Sequence, residues 1–317
     1  MTEAYLQCWD GTRYRLPALV EWRFEYTAGV PCDSFSLKCL WEAGLEQVLS
    51  DAVELTAEEN GETVFHGVVD EFETKWNGDG SVLTLSGRGM AARLLDNEAE
   101  GADYLTATAE DILRDHVLPY GVEVGERGQL PAVSNFSVRS GSSEWSVLYD
   151  FARYYGGVTP RFDRFGRLCL APWGDGETRL LNDAVAVTEF SYREKRYGVL
   201  SEILVRDKTR FAVERVENGR FSARGGRCRR VMTMPGRTAF QAMRYSGEYQ
   251  LRRSESEWIR AEATIPQLFF AWPGDLVNLE RSGFGKNGVY RVLEAVVTGD
   301  GRGGRTKLAL GERDAVV

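Results

Sequence analysis

The sequence predicts a mainly β protein with an α/β insert: two small β-barrels flanking a mixed α/β middle domain. Three observations predict it. Residues 1–97 alternate apolar and polar side chains at period two, in short segments separated by turn residues. Residues 98–184 change to helical spacing, with capping residues ahead of apolar stripes. Residues 185–317 return to strand spacing, interrupted by one helix expected over 238–256.

In the first unit the opening dozen residues show no clear alternation. Tyr14 and Leu16, then Val20, Trp22, Phe24 and Tyr26, recur at every second position. Pro31-Cys32-Asp33 makes a turn, after which Phe35, Leu37 and Cys39 alternate with Ser34, Ser36 and Lys38. Asp51–Glu58 reads as a further strand, closed by the turn Glu59-Asn60-Gly61-Glu62. The most informative stretch is Phe65–Arg88, which reads as one long hairpin. Val68, Phe72, Thr74 and Trp76 lead into Asn77-Gly78-Asp79-Gly80, where Asn and Gly tolerate the positive φ that a tight hairpin requires. Val82, Leu83 and Leu85 then run out to Ser86-Gly87-Arg88.

In the middle unit Thr108, with Asp111 three residues on, caps a helix whose Ile112, Leu113, His116 and Val117 face one way and which ends before Pro119. Val122–Val124 is a short strand. Ser142 or Ser143 caps a second helix with Trp145, Leu148, Ala152 and Tyr155 on one face and Gly156-Gly157 at its end. Val158–Phe162, the turn Asp163-Arg164-Phe165-Gly166 and Arg167–Leu170 form a hairpin, and Pro172–Gly176 breaks to a loop. In the last unit strands are expected at Val185–Tyr192, Ser201–Asp207, Phe211–Glu217 and Cys228–Met232. A helix follows, capped by Thr238 with Gln241 at the capping-box position and Phe240, Met243, Gly247 and Leu251 along one stripe. Trp258–Ile265, Asp275–Glu280, Val289–Val297 and Thr306–Leu310 complete the strands.

Composition narrows the classes of function. The 317 residues suffice for two or three domains, and 43% hydrophobic with 27% charged residues is the balance of a water-exposed globular fold. No run of 18 apolar residues occurs, so no membrane-spanning helix is expected, and the N-terminus has neither the basic nor the apolar region of a secretory signal. Five cysteines, an odd number without a CxxC pair, are expected to be reduced thiols, as in a protein assembled in a reducing cytoplasm. The net charge of −8 divides unevenly. Residues 1–100 hold 19 acidic against 7 basic side chains (−12), residues 101–200 hold 14 against 11 (−3), and residues 201–317 hold 14 against 21 (+7). An acidic front and a basic rear favour head-to-tail contact between copies.

Nothing in the sequence reads as a catalytic, cofactor or metal site. The two histidines, His66 and His116, lack Cys or His at ligand spacing, and no GxSxG elbow is present. Gly283-Phe284-Gly285-Lys286-Asn287-Gly288 matches GxGxxG, but a strand follows it where a dinucleotide site needs a helix, so it reads as a hairpin turn. The pairs Glu58-Glu59 and Asp70-Glu71 do not by themselves establish two carboxylates held across a cleft, and are expected on solvated turn and strand faces. Trp173, Trp258 and Trp272 could form a sugar platform, though core or contact use is expected. Arg224, Arg227, Arg229 and Arg230 form the densest basic run, read as a protruding loop that docks on an acidic neighbour. Asp70, Glu71 and Glu73 are the acidic candidates for the same contact. With no aromatic interleaved and an acidic chain overall, sequence-specific nucleic-acid binding is not expected.

Three segments resemble one family. Phe65-His66-Gly67-Val68-Val69-Asp70 with Leu83-Thr84-Leu85-Ser86-Gly87-Arg88 is similar to the first barrel of baseplate hub proteins, the late-control or tail protein D family of contractile-tailed phages, Mu-like prophages and tailocins. Thr108–Leu170, with Asp163-Arg164-Phe165-Gly166-Arg167-Leu168, resembles their middle domain. Trp272-Pro273-Gly274-Asp275-Leu276-Val277, Tyr290-Arg291-Val292 and the final Thr306–Leu310 resemble their closing barrel. The resemblance implies a non-enzymatic homotrimer whose six barrels form a ring between a sixfold tail tube and a threefold central spike. Its partners would be the tube protein, the spike protein and other baseplate proteins, the tape measure among them. Its place would be the tail baseplate of a virion or particle assembled in the bacterial host cytoplasm, with no cofactor and no membrane contact; some hub assemblies carry a fused wall-degrading segment, and none is expected in this sequence. Two other readings stand beside it: a carbohydrate-binding or glycan-hydrolysing β-rich protein, and an oligonucleotide-binding barrel.

Overall fold

The sheet that the first strands begin is completed by the last ones. A computed structural model of the chain describes all residues except 28–31, 79, 209–211, 235–238, 257 and 316–317, and all their side chains except that of Asn77. The first part contains β1 (Thr2–Cys8), β2 (Arg13–Arg15), β3 (Leu19–Tyr26), β4 (Ser34–Leu40), the short helix α1 (Leu45–Asp51), β5 (Ala52–Glu59), β6 (Glu62–Asn77) and β7 (Gly80–Gly89). The middle holds α2 (Ala92–Leu95), β8 (Ala102–Ala107), α3 (Ala109–His116), β9 (Val124–Arg127), β10 (Val133–Val138), α4 (Glu144–Asp150), β11 (Arg161–Phe162), β12 (Leu168–Leu170) and β13 (Thr178–Asn182). The last part holds β14 (Glu189–Glu194), β15 (Glu202–Asp207), β16 (Val213–Glu217), α5 (Gly219–Ala223), β17 (Arg229–Met234), α6 (Phe240–Ser256), β18 (Ile259–Ile265), β19 (Leu276–Glu280), β20 (Gly288–Asp300) and β21 (Gly303–Glu312).

The mainly β fold with a mixed middle is present. Among the described residues one sheet runs β14-β18-β21-β20-β3-β4-β7-β6-β5-β1-β2, with β19 and β13 branching from β20. The two strand groups are therefore joined edge to edge, Tyr26 opposite Ala295 and Trp22 opposite Gly299 on β3 and β20. Their apolar faces share one core. Phe24 and Phe35 stack on or abut Phe65 at 5.3 and 5.4 Å, while Tyr26 and Phe270 reach Trp272 at 6.4 and 6.0 Å. Such ring pairs add about 0.5–1.5 kcal/mol each beyond their buried area.

A second core lies beneath the middle elements and includes Ile112, Leu148, Phe151 and Leu168. Ile203, Val205, Met234, Met243 and Leu251 from the last third belong to it too. Thus β15, β16 and β17 do not join the large sheet; they form a three-stranded sheet of their own against α6. Conversely β13, which lies beyond the Pro172–Gly176 loop and for which the sequence signals no strand, pairs in parallel with β19 in the large sheet.

Local signals account for several boundaries. Thr108 and Asp111 form the expected reciprocal cap of α3, and Ser143 caps α4. Beyond α4 the chain widens into a π-helical turn, Phe151–Gly156, closed by Gly157 with φ 66°. The Thr238 cap lies outside the described residues. On α6, Met243, Gly247 and Leu251 are buried as expected, but Phe240, the first residue of the helix, is exposed. The glycine motif Gly283–Gly288 connects antiparallel β19 and β20 as a hairpin turn.

Candidate assembly interface and the cleft beside it

The acidic candidates lie on β6. The register slips between Val69 and Glu71, which leaves Asp70 as the extra residue of a β-bulge opposite Gly87 and Ser86. Glycine is required at 87: a Cβ there would lie 2.0 Å from the Val68 carbonyl and 2.6 Å from the Phe35 ring. Arg88, next along β7, takes Asp70 in a two-pronged pair at 2.7 and 2.8 Å and also holds Asp96 at 2.6 and 3.0 Å. Asp70 is therefore neutralised within the chain. Glu73 pairs with Lys75 at 2.9 Å, an exposed contact worth about 0.2–1 kcal/mol. Glu71 has no ion-pair partner among the described residues. β5 accompanies β6 only as far as Val68, so residues 70–76 stand out with both faces exposed. Phe72 is 47% and Trp76 84% exposed there. The sequence places both on the strand that leads into the turn, and their exposure follows from the length of β6 relative to β5, which no local pattern reports.

The basic candidates divide. Arg224 and Arg227 lie in the connection between α5 and β17, whereas Arg229 and Arg230 are on β17 itself, an edge strand rather than a loop. Arg224, with Arg220, lies over the Trp258 ring at 5.1 and 4.8 Å. Arg229 pairs at 2.6 Å with Glu202, its register partner on β15. Arg227 and Arg230 are exposed and have no ion pair among the described residues. No ladder or ion pair among the described residues brings the acidic and basic candidates together within one chain.

Of the three tryptophans considered as a sugar platform, one is buried and two are partly exposed. Trp258 is fully buried, edge-on to Phe221, and donates to Glu194 at 3.2 Å. Trp173 lies beneath Arg161 and Arg291, and Trp272 beneath Arg164 at 4.3 Å and Arg179 at 5.9 Å. Trp173 and Trp272 line a cleft of about 490 Å³ where the three parts of the chain meet. The cleft is built by Trp272-Pro273-Gly274-Asp275. The Asp275 carboxylate accepts from the Trp272 and Glu177 amides, both at 3.1 Å, fixing the 174–177 loop against β19. In the same cleft burial raises the Asp33 carboxyl to about 7, against hydrogen bonds from Thr27 that lower it.

Both histidines are satisfied. His116 is buried between Glu144 at 2.7 Å and the Tyr104 hydroxyl at 3.1 Å, and His66 lies between Glu54 and the Phe165 carbonyl. All five cysteines are unpaired. No group of three His, Cys, Asp or Glu side chains among the described residues could hold a metal ion.

No protein-family model matches the chain, and no curated protein matches it significantly. Solved structures do match. The tail protein from Neisseria meningitidis MC58 superposes with a TM-score of 0.76 at 16% identity, over 100% of this chain and 99% of that one. The 43 kDa tail protein of prophage MuSo2 from Shewanella oneidensis gives 0.75 at 16% identity over 100% of both chains. The fold is that of phage tail proteins. A third match to this tail-protein fold, at 0.59 and 12% identity over 93% of this chain and 73% of the other, is the E. coli c3393 protein. That protein is described as a component of the type VI secretion system with structural similarity to the T4 bacteriophage tail proteins gp27 and gp5.

Proposed function

We propose that the chain is a structural protein of a phage tail baseplate or a related contractile particle, and within it the hub. In this reading three copies form a ring that adapts a sixfold tail tube to a threefold spike. Residues 1–97 and 185–317 supply the ring modules and residues 98–184 the bridge between them. The observation that carries the reading is end-to-end agreement with two tail proteins, at TM-scores of 0.76 and 0.75. Fold alone does not fix function; here the agreement extends over the full length of both tail proteins. The seam would bring the exposed outer half of β6, with Glu71 and Glu73, against Arg227 and Arg230 of the next copy, a heterologous contact that closes at three. Partners beyond the ring would be the tube, the spike and neighbouring baseplate proteins, in a virion tail assembled in the host cytoplasm.

Native mass spectrometry across a salt series tests this. A trimer that dissociates as salt rises is the expected result. A chain that stays monomeric at every salt, and still forms no ring when co-expressed with its tube and spike proteins, would overturn the reading. The glycan-binding alternative gains no support from Trp258, which is fully buried, and Trp173 and Trp272 each lie beneath two arginines.

A further inference from the structure

We propose that His66 is a proton-operated latch: as an imidazolium it holds the Asp163–Arg167 turn of the middle segment against β6, and it releases that turn when it loses a proton. The geometry dictates the charge. Nδ1 lies 2.8 Å from the Phe165 carbonyl oxygen, which can only accept, so Nδ1 must carry a hydrogen. Nε2 lies 2.8 Å from Oε2 of Glu54. The other oxygen of Glu54 is ion-paired with the Arg93 guanidinium, which keeps the group a carboxylate and again an acceptor only. Nε2 must carry a hydrogen as well, and a ring protonated at both nitrogens is cationic.

A neutral ring has one N–H to offer two acceptors. The carboxylate is the stronger acceptor and retains it. The Nδ1 lone pair then faces the Phe165 carbonyl at 2.8 Å, and the hydrogen bond that held the turn becomes a repulsion. The turn is shaped for this approach. Gly166 has φ +76°, and a Cβ there would sit 2.8 Å from Nδ1 and 2.6 Å from the Met90 side chain. Next to it, Arg164 lies over Trp272, and the turn lines the cleft between the middle segment and the large sheet. Release at His66 therefore loosens the contact of the middle segment with both strand groups.

The charged groups facing the ring are Glu54 from β5, which favours the imidazolium, and Arg93 from α2, which opposes it. The turn offers its carbonyl, and Met90 is apolar. Burial pulls the His66 pKa down, but the hydrogen bonds to Glu54 and the Phe165 carbonyl outweigh it and raise it above its ordinary 6.5. Glu54 falls below its ordinary 4.5, chiefly through its hydrogen bond with His66, with Arg93 adding to this against the effect of burial. A histidine raised on folding adds stability fully present below pH 6.5 and lost as pH rises through the folded value. A carboxyl lowered on folding adds stability present above 4.5 and lost as pH falls through its folded value. The latch is tightest from pH 4.5 to 6.5 and opens on the alkaline side.

With two histidines in the chain, both imidazoles should be resolvable in nitrogen-15-edited spectra. They should be titrated in the intact protein from pH 5 to 9 while amide exchange protection factors are followed for Arg164–Leu168. We expect His66 to titrate above 6.5 and the turn's protection factors to fall at least tenfold through that same titration. In His66→Gln the protection should be low and flat with pH. The proposal is overturned if His66 titrates at or below 6.5, or if wild-type protection in the turn does not change across the range. Both readouts come from the wild-type chain, so a variant that fails to fold leaves the test intact, and neither depends on the assembly reading.

Discussion

The outer half of β6 and the segment 220–230 carry opposite charge, and the fold uses them differently. On the hairpin one carboxylate, Asp70, is tied to Arg88 and another, Glu73, to Lys75, while Phe72 and Trp76 stand in solvent. On the basic segment Arg220 and Arg224 lie against Trp258 and Arg229 is tied to Glu202, which leaves Arg227 and Arg230. Each side thus offers fewer charges than its sequence contains. What distinguishes them is apolar surface: the hairpin exposes two large aromatic rings, and the basic segment uses its aromatic partner inside the fold. A contact between the two would draw its affinity from the aromatic side and its orientation from the charged one.

The largest effect should come from the residue that makes the basic segment structural. Trp258 is fully buried, packed by Phe221 and roofed by two arginines. Trp258→Ala should cost about 3–5 kcal/mol in chemical denaturation, the range for emptying a buried indole site. A loss under about 1 kcal/mol would mean that the arginines are not anchored there, and the contrast between the two regions would fail.

The hairpin should behave in the opposite way. Phe72→Ser with Trp76→Ser removes side chains that pack on little within the chain, so stability should change by no more than about 0.5 kcal/mol. Association of copies should weaken about tenfold or more by analytical ultracentrifugation, as expected when exposed aromatics are contact anchors. Unchanged association would remove the hairpin from the seam.

How much of this was legible follows from the kind of signal each feature leaves. The hairpin Phe65–Arg88 and the Thr108 and Ser143 caps were readable because turn residues and capping side chains act within a few positions of themselves. β1 was not, although its burial alternates at every residue. Its inward positions are Thr2, Ala4, Leu6 and Cys8, and its largest side chain, Tyr5, points outward. The joining of β3 to β20 and the movement of β15–β17 and α6 onto the middle core are long-range pairings, invisible to any local period. The same holds for the candidate site. Residue type identified Arg224, Arg227, Arg229 and Arg230, but which of them remain free depends on Trp258 and Glu202, placed beside them only by the fold. His66 was visible only as a lone histidine, because its partners Glu54, Arg93 and Phe165 come from three separate elements.

The smallest effect separates orientation from affinity. Arg227→Gln with Arg230→Gln removes two exposed guanidinium groups that have neither an ion pair nor a ring contact among the described residues, so folding stability should stay within about 0.5 kcal/mol. If these groups steer copies together, association at low salt should slow about threefold, and the difference should vanish near 1 M salt, where charges are screened within about 3 Å. Arg229→Gln provides the contrast. Its partner Glu202 is only 18% exposed, so stability should fall by about 1 kcal/mol whether or not copies associate. A salt-insensitive loss of association in the double variant would instead assign Arg227 and Arg230 to buried contacts at the seam. The acid–base division of the chain would then be a property of its surface rather than of its assembly.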